Sequence, residues 1–258
     1  MSAHYHDIAG RITRQAVAPL LDRAKVRRGD VLIDIATGPG YVAAAARERG
    51  AYVVGMDFSP EMIADARANF PGLRFDQGDA ESLSYEHGSF DIATCAFGML
   101  HFPNPGRVVA EAHRILRPRG RFVFTVWCNP GKAKLFGAIA DIMQRFADPQ
   151  AVKLPTGPGA FMLSDPLVCT AVMEAAGFAD VGVEEIPCQF TVGARSDILE
   201  FLHKCAPRAL PLYEAQTGDV RAKIDQALKE QGAKALATDG GRIACPALVI
   251  HGIRRGPP

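Results

Sequence analysis

The stretch Val31-Leu-Ile-Asp-Ile-Ala-Thr-Gly-Pro-Gly40, followed by Gly55-Met-Asp57, restricts the possible folds more than any other part of the chain. An apolar run of this length that stops at a glycine pair reads as a buried strand entering a tight turn. Gly38 and Gly40 let the backbone turn sharply and allow a ligand to approach without a Cβ in the way. A helix over 40–49 and a second strand ending at Asp57 then complete a βαβ unit. A carboxylate at the tip of that second strand is placed to accept hydrogen bonds from both hydroxyls of a ribose. The pattern describes a nucleoside site and leaves open which nucleoside it takes.

Two ligand classes use this arrangement. Gly38-Pro-Gly-Tyr-Val-Ala43 satisfies the loose dinucleotide pattern, which alone is a weak signal. Asp34 points the other way, because an acid four residues before the first glycine repels a pyrophosphate. It attracts a ligand that carries a sulfonium and an ammonium. The bland alternative is a generic βαβ unit in which Asp34 only caps a turn. Asp34-Ile-Ala36-Thr-Gly38-Pro-Gly40 resembles motif I of the class I S-adenosylmethionine (SAM) methyltransferases.

Three further blocks carry the same resemblance: Phe75-Asp-Gln-Gly-Asp-Ala-Glu81, Gly88-Ser-Phe-Asp-Ile-Ala-Thr-Cys-Ala-Phe-Gly-Met-Leu-His-Phe-Pro103, and Ala110–Gly120 running into Arg121-Phe-Val-Phe-Thr-Val-Trp127. Together they cover roughly residues 29–127 and are most similar to the branch that includes ubiquinone/menaquinone-biosynthesis enzymes and many small-molecule methyltransferases. The resemblance implies a Rossmann-like, doubly wound, mostly parallel seven-stranded sheet with an antiparallel last strand, plus helical lid insertions. It implies S-adenosyl-L-methionine as the cofactor, with Asp79 and the Ala80 amide at the adenine edge. It also implies that Tyr5, in His4-Tyr-His6, folds over the cofactor.

Ligands of open α/β sheets sit at the carboxyl ends of the strands, at the switch in strand order. That rule puts Asp34, Ala36, Gly38, Gly40, Asp57, Asp79 and the segment from Cys95 to Gly98 on one rim, with Cys95 counted among the cofactor residues. Phe58 and Met62 fit positions flanking the adenine, and Phe58 fits a core position equally. Phe97, Met99, Trp127, Phe136, Phe161 and Met162 lie near the expected mouth, with Phe97, Trp127 and Phe161 assigned to an acceptor pocket. The acceptor is then a small, substantially apolar molecule, although lid packing would produce much the same set of residues.

Methyl transfer from a sulfonium needs alignment more than acid–base help. A base matters only where the acceptor must lose a proton. Tyr5 and His101 are the two candidates for catalytic roles, and His101 also suits a structural position beneath the rim. His203 and His251 lie among apolar residues and read as structural. Two rivals stay open: an NAD(P)-dependent oxidoreductase, and a SAM-binding protein without methyl transfer.

Composition excludes other classes. Acidic and basic residues nearly cancel, for a net charge of +1, so no nucleic-acid partner is expected. Arg114, Arg117, Arg119 and Arg121 read as a solvated cluster at a helix end. Six dispersed cysteines without metal-ligand spacing suit free thiols in a reducing compartment and no metal. Neither a signal peptide nor an apolar run of about 18 residues is found, so a cytoplasmic protein with no membrane partner is expected. Oligomeric state is not legible.

The organisation expected is a single domain over 1–258: an N-terminal helix region at 1–28, a cofactor-binding core at 29–127, and a lid with sheet completion at 128–258. Within it a helix spans 7–25, bent near Pro19. Strands fall near 31–36, 51–57, 72–76, 90–96 and 120–127, alternating with helices at 40–49, 60–69 and 105–117. Beyond Trp127 come a helix at 132–146, a Pro/Gly-rich loop at 153–159, a helix from Asp165 to 176 and a strand at 180–190. Helices at 196–206 and 211–231 and a last strand at 245–252 follow.

Overall fold

A computed structural model describes Ile8 and residues 10–153, 159, 161–206, 209–238 and 240–256. Tyr5 lies outside the described residues, as does most of the 153–159 loop. The sheet holds β1 (Val31–Ile35), β2 (Tyr52–Asp57), β3 (Arg74–Gln77), β4 (Phe90–Ala96), β5 (Leu116–Trp127), β6 (Phe178–Ile186) and β9 (Ala247–Arg254). Their order is β3-β2-β1-β4-β5-β9-β6. β1 pairs in parallel with both β2 and β4, and β4 with β5. β9 runs antiparallel to both β5 and β6. The expected seven-stranded sheet with an antiparallel last strand is therefore what the chain forms.

The chain winds outward from β1 to β3 and then returns to place β4 on the other side of β1. The crevice at the carboxyl ends of β1 and β4 is the point where strand order reverses, the general location of ligands in such sheets. Helices α2 (Tyr41–Glu48), α3 (Pro60–Asn69) and α4 (Pro105–Ile115) connect these strands. The central strands are buried on both faces, with Leu32, Ile33, Phe122, Val123 and Phe124 all fully enclosed. Trimming Phe122 or Phe124 to Ala would cost about 3–5 kcal/mol through lost transfer energy and a residual cavity.

Several boundaries differ from the expectations. The bend assigned to Pro19 occurs one turn earlier, as a 3-10 turn at Arg14–Ala16 before α1 (Val17–Ala24). Pro19 sits in the first turn of α1, has no N–H for the Gln15 carbonyl, and crowds that carbonyl, so the tightening falls upstream. β5 begins at Leu116, before Pro118, rather than at 120. A register shift opposite Phe90 and Ile92 lets Pro118, Arg119 and Gly120 bulge out of the ladder. Arg114 is no solvated end: it donates to the Leu83 and Tyr85 carbonyls and to Glu111, clamping that loop onto α4.

The later half contains α5 (Lys134–Phe146), α6 (Pro166–Ala175), α7 (Asp197–Cys205), α8 (Leu210–Glu214) and α9 (Gly218–Thr238). The single helix expected at 211–231 is two, separated near Gln216. The Gln216 side chain reaches back to the Leu212 and Asp148 carbonyls there. A small second sheet, β7 (Gln189–Thr191) with β8 (Arg242–Ala244), was not anticipated from three-residue strands.

Candidate functional site

A cavity of about 950 Å³ opens at the switch point. One half is built by the turn after β1 and the tips of β2 and β3. Gly38 and Gly40 both adopt positive φ, at 51° and 90°, and α2 starts immediately afterwards. Gly38 borders the cavity, with open space where a Cβ would be. Gly40 does not. A Cβ there would stand 2.9 Å from the Phe75 ring, so this glycine answers to core packing rather than to a ligand.

Asp34 is only 1% exposed, with its edge on the cavity. Its two oxygens accept from the Thr37 hydroxyl at 2.6 Å and the Thr94 hydroxyl at 2.8 Å. Burial pushes its carboxyl up to about 7, against the pull of those two hydroxyls and with help from the nearby Asp57 charge. Asp57 ends β2 and accepts from the Gly38 amide at 2.8 Å and the Ser59 amide at 3.0 Å. It too is raised by burial. Neither acid has a cationic side chain beside it among the described residues. Ser59 then caps α3, its hydroxyl accepting from the Met62 amide, which sets Phe58 and Met62 on the rim.

Phe58 is 75% exposed and borders the cavity, which removes its core reading. Asp79, Ala80 and Glu81 complete this half, with Asp79 accepting from the Glu81 amide. Ala36 lines the cavity at a positive φ of 53°. Cys95 does not line it. Strand alternation turns its fully buried side chain into the core against α4, and burial raises its thiol far above the usual range.

The other half is aromatic. Phe97 stacks on Trp127, the one tryptophan of the chain, with centroids 3.9 Å apart and planes 21° off parallel. Trp127 meets Phe136 at 5.1 Å, and Phe136 meets Phe161 and Phe201 at 5.8 and 5.7 Å. Phe97 holds a φ of 56°, a left-handed conformation that costs a non-glycine residue energy. Its amide donates to both the carbonyl and the hydroxyl of Thr125, which hold it there. That turn swings the ring away from the core where Cys95 and Met99 pack. Met99 is buried in that core and Met162 lies outside the cavity lining, so neither belongs to the mouth.

His101 lines the cavity on a 3-10 turn at Met99–His101 and is exposed rather than tucked beneath the rim. His203, expected to be structural, also lines it, edge-on to Tyr213 at 4.8 Å. His251 instead faces Glu184 at 4.0 Å on β9, away from the cavity. Arg14, Thr37 and Tyr41 line the cavity and were not anticipated. Thr37 was recoverable, since a buried Asp34 needs a donor within one turn. Arg14 was not, because nothing local ties it to a turn some twenty residues away. No cluster of His, Cys, Asp or Glu among the described residues could hold a metal.

The family described as "Methyltransferase domain" matches residues 33–124. The demethylmenaquinone methyltransferase of Thermus thermophilus is 36% identical over 184 residues, covering 66% of this chain and 81% of the relative. The crystal structure of the YcgJ protein from Bacillus subtilis superposes with a TM-score of 0.63 at 21% identity, covering 95% of this chain and all of that one. Phosphoethanolamine N-methyltransferase 2 from Haemonchus contortus, in complex with S-adenosyl-L-methionine, gives a TM-score of 0.58 at 18% identity, over 93% and 52% of the two chains. These likenesses favour methyl transfer over hydride transfer.

Proposed function

The chain belongs to the S-adenosylmethionine-dependent methyltransferases that act on small molecules, and from that premise we propose that its acceptor is a small, substantially apolar molecule held against the Phe97–Trp127 wall. The observation that carries this reading is the division of one cavity into a carboxylate-edged half and an aromatic half. A ligand with positive charge and hydroxyl donors suits the buried Asp34 and the half-buried Asp57 near it, neither of which has a cationic side chain beside it among the described residues. A pyrophosphate does not suit them.

In this reading Asp57 accepts from the ribose hydroxyls, using lone pairs left over from the Gly38 and Ser59 amides. Asp79 and the Ala80 amide meet the adenine edge, flanked by Phe58 and Met62. Asp34, Ala36 and Gly38 face the amino-acid end. Phe97, Trp127 and Phe161 hold the acceptor. When bound, the cofactor supplies a methyl group already activated by a positive sulfur. The protein's share is alignment and exclusion of water, and alignment alone can contribute about 7–11 kcal/mol to such a reaction. His101, at the cavity rim, is proposed to take a proton from an acceptor that must lose one. Tyr5 is proposed as a cover over the cofactor, on the resemblance alone.

We also propose a cytoplasmic location, consistent with six free thiols, and one catalytic unit over 1–258 with no nucleic-acid partner. No described helix is long and apolar enough to cross a membrane.

Isothermal titration tests the cofactor assignment. Asp57→Ala loses two charge-assisted hydrogen bonds, each about 1.5–3 kcal/mol, and should bind SAM at least about tenfold more weakly while remaining folded. Unchanged affinity, or tight binding of NADH by the wild type, would contradict the reading.

A further inference from the structure

We infer that Arg14 is the anchor for the α-carboxylate of the cofactor, and that it makes the site selective for ligands that keep that carboxylate. The inference rests on the methyltransferase reading and assigns a residue outside the motif blocks. Apart from Arg14, the charged side chains lining the cofactor half are carboxylates: Asp34, Asp57, Asp79 and Glu81. They suit the ammonium, the sulfonium and the ribose hydroxyls, but they repel a carboxylate. The amino-acid end of the cofactor carries one, so this half needs a cation.

Among the described residues the cavity has two fully charged cations, Arg14 and Lys204. Lys204 belongs to α7 on the aromatic side and is paired with Glu200 at 3.2 Å. Arg14 has no carboxylate partner among the described residues. Its guanidinium lies 3.8 Å from the centroid of the Tyr41 ring and donates to the Tyr41 hydroxyl. Tyr41 is the first residue of α2, directly after the glycine turn. The stack holds the guanidinium plane in place and leaves its remaining N–H groups for a second partner.

The placement also fixes which end of the ligand Arg14 meets. Across the sheet the adenine residues are at β3, the ribose acid at β2, and the amino-acid end falls at β1 and β4. The segment that carries Arg14 leads into α1, which packs on α2, β4, β5 and β9, and its guanidinium stacks on Tyr41 directly after the β1 turn. Arg14 is therefore on the amino-acid side, where a planar fork of donors matches a carboxylate in bidentate fashion. It sits in the 3-10 turn before α1, so cofactor binding also ties the N-terminal segment to the sheet.

Calorimetry with S-adenosylhomocysteine and its decarboxylated analogue, on wild type, Arg14→Met and Arg14→Lys, tests this. The wild type should prefer S-adenosylhomocysteine by at least about tenfold. Arg14→Met should bind the decarboxylated analogue as the wild type does and lose the preference, and Arg14→Lys should recover part of it. An Arg14→Met protein that keeps the preference, or that weakens both ligands equally, overturns the inference while leaving the methyltransferase reading intact. A wild type that binds neither ligand contradicts the cofactor assignment, and the Arg14 inference with it.

Discussion

Asp34 is the residue at which fold and function conflict most openly. A carboxylate buried in the central strand is tolerated because Thr37 and Thr94 donate to it, yet burial still raises it to about 7. The unfolded chain ionises this group near its ordinary value of 3.8, so between the two values the folded state holds a proton that the unfolded state lacks. Stability from this group is therefore full below about pH 4 and is lost as pH rises through 7, by at most about 4 kcal/mol. Asp57 contributes with the same sign. Urea unfolding from pH 5 to 8 should show the decline in wild type and a shallower one in Asp34→Asn. An equal slope in both proteins would mean that Asp34 is ionised throughout. A cationic ligand prefers the ionised acid, so SAM affinity should rise across pH 6–7.5 in wild type and less in the variant. Ala36 offers a second test. Its left-handed backbone costs roughly 1–2 kcal/mol, partly offset in glycine by about 0.5–1 kcal/mol of chain entropy. Ala36→Gly should thus raise the urea midpoint slightly, and a clear loss of stability would show that the Ala36 methyl contributes through packing.

Among the elements, β1, β2, β4 and the second half of β5 were legible because each is a short apolar run closed by turn residues, whereas β3 (Arg74–Gln77) buries only Phe75 and was read from its place after α3. The βαβ core could be read for that reason, and so could the last strand through the resemblance. What failed to show were features set by distant partners. Leu116 joins β5 because Phe90 pairs with it across a bulge, whereas local signals at Pro118 and Gly120 read as a break. The division of 211–231 into α8 and α9 depends on Gln216 bonding back to Asp148, which no periodicity reveals. The rim residues were readable where a motif carries them, as with Asp34, Asp57 and Asp79. Cys95 and Gly40 sat in the right motifs but answer to the core: strand alternation turns the Cys95 side chain inward, and Gly40 is needed because the Phe75 ring leaves no room for a Cβ. Phe136, Ile139 and Met143 face the cavity from helix α5, which therefore forms one of its walls. The α5 amides should exchange more slowly when cofactor and acceptor are both bound. Equal exchange in free and liganded protein would make α5 a fixed wall rather than a closing one.

On the scale of the whole molecule, the strand reversal between β1 and β4 creates one crevice, and later helices roof it with aromatic side chains. The first half of the chain supplies the acids that line the crevice, and the second half supplies much of its aromatic wall. Similar chains share the first half most clearly, as the match over residues 33–124 shows. The proposed acceptor side draws on α5, α7 and Trp127, outside or at the edge of that match. Both halves are proposed to serve one methyl transfer. Single-turnover incubation with methyl-labelled SAM and a panel of small aromatic and aliphatic acceptors, read by mass spectrometry, tests it most directly. Label should appear on an apolar acceptor, and a Trp127→Ala variant should bind SAM normally but transfer the label at least about tenfold more slowly. Wild type that binds SAM yet labels none of the apolar acceptors, or a Trp127→Ala variant that transfers as fast as wild type, would contradict it.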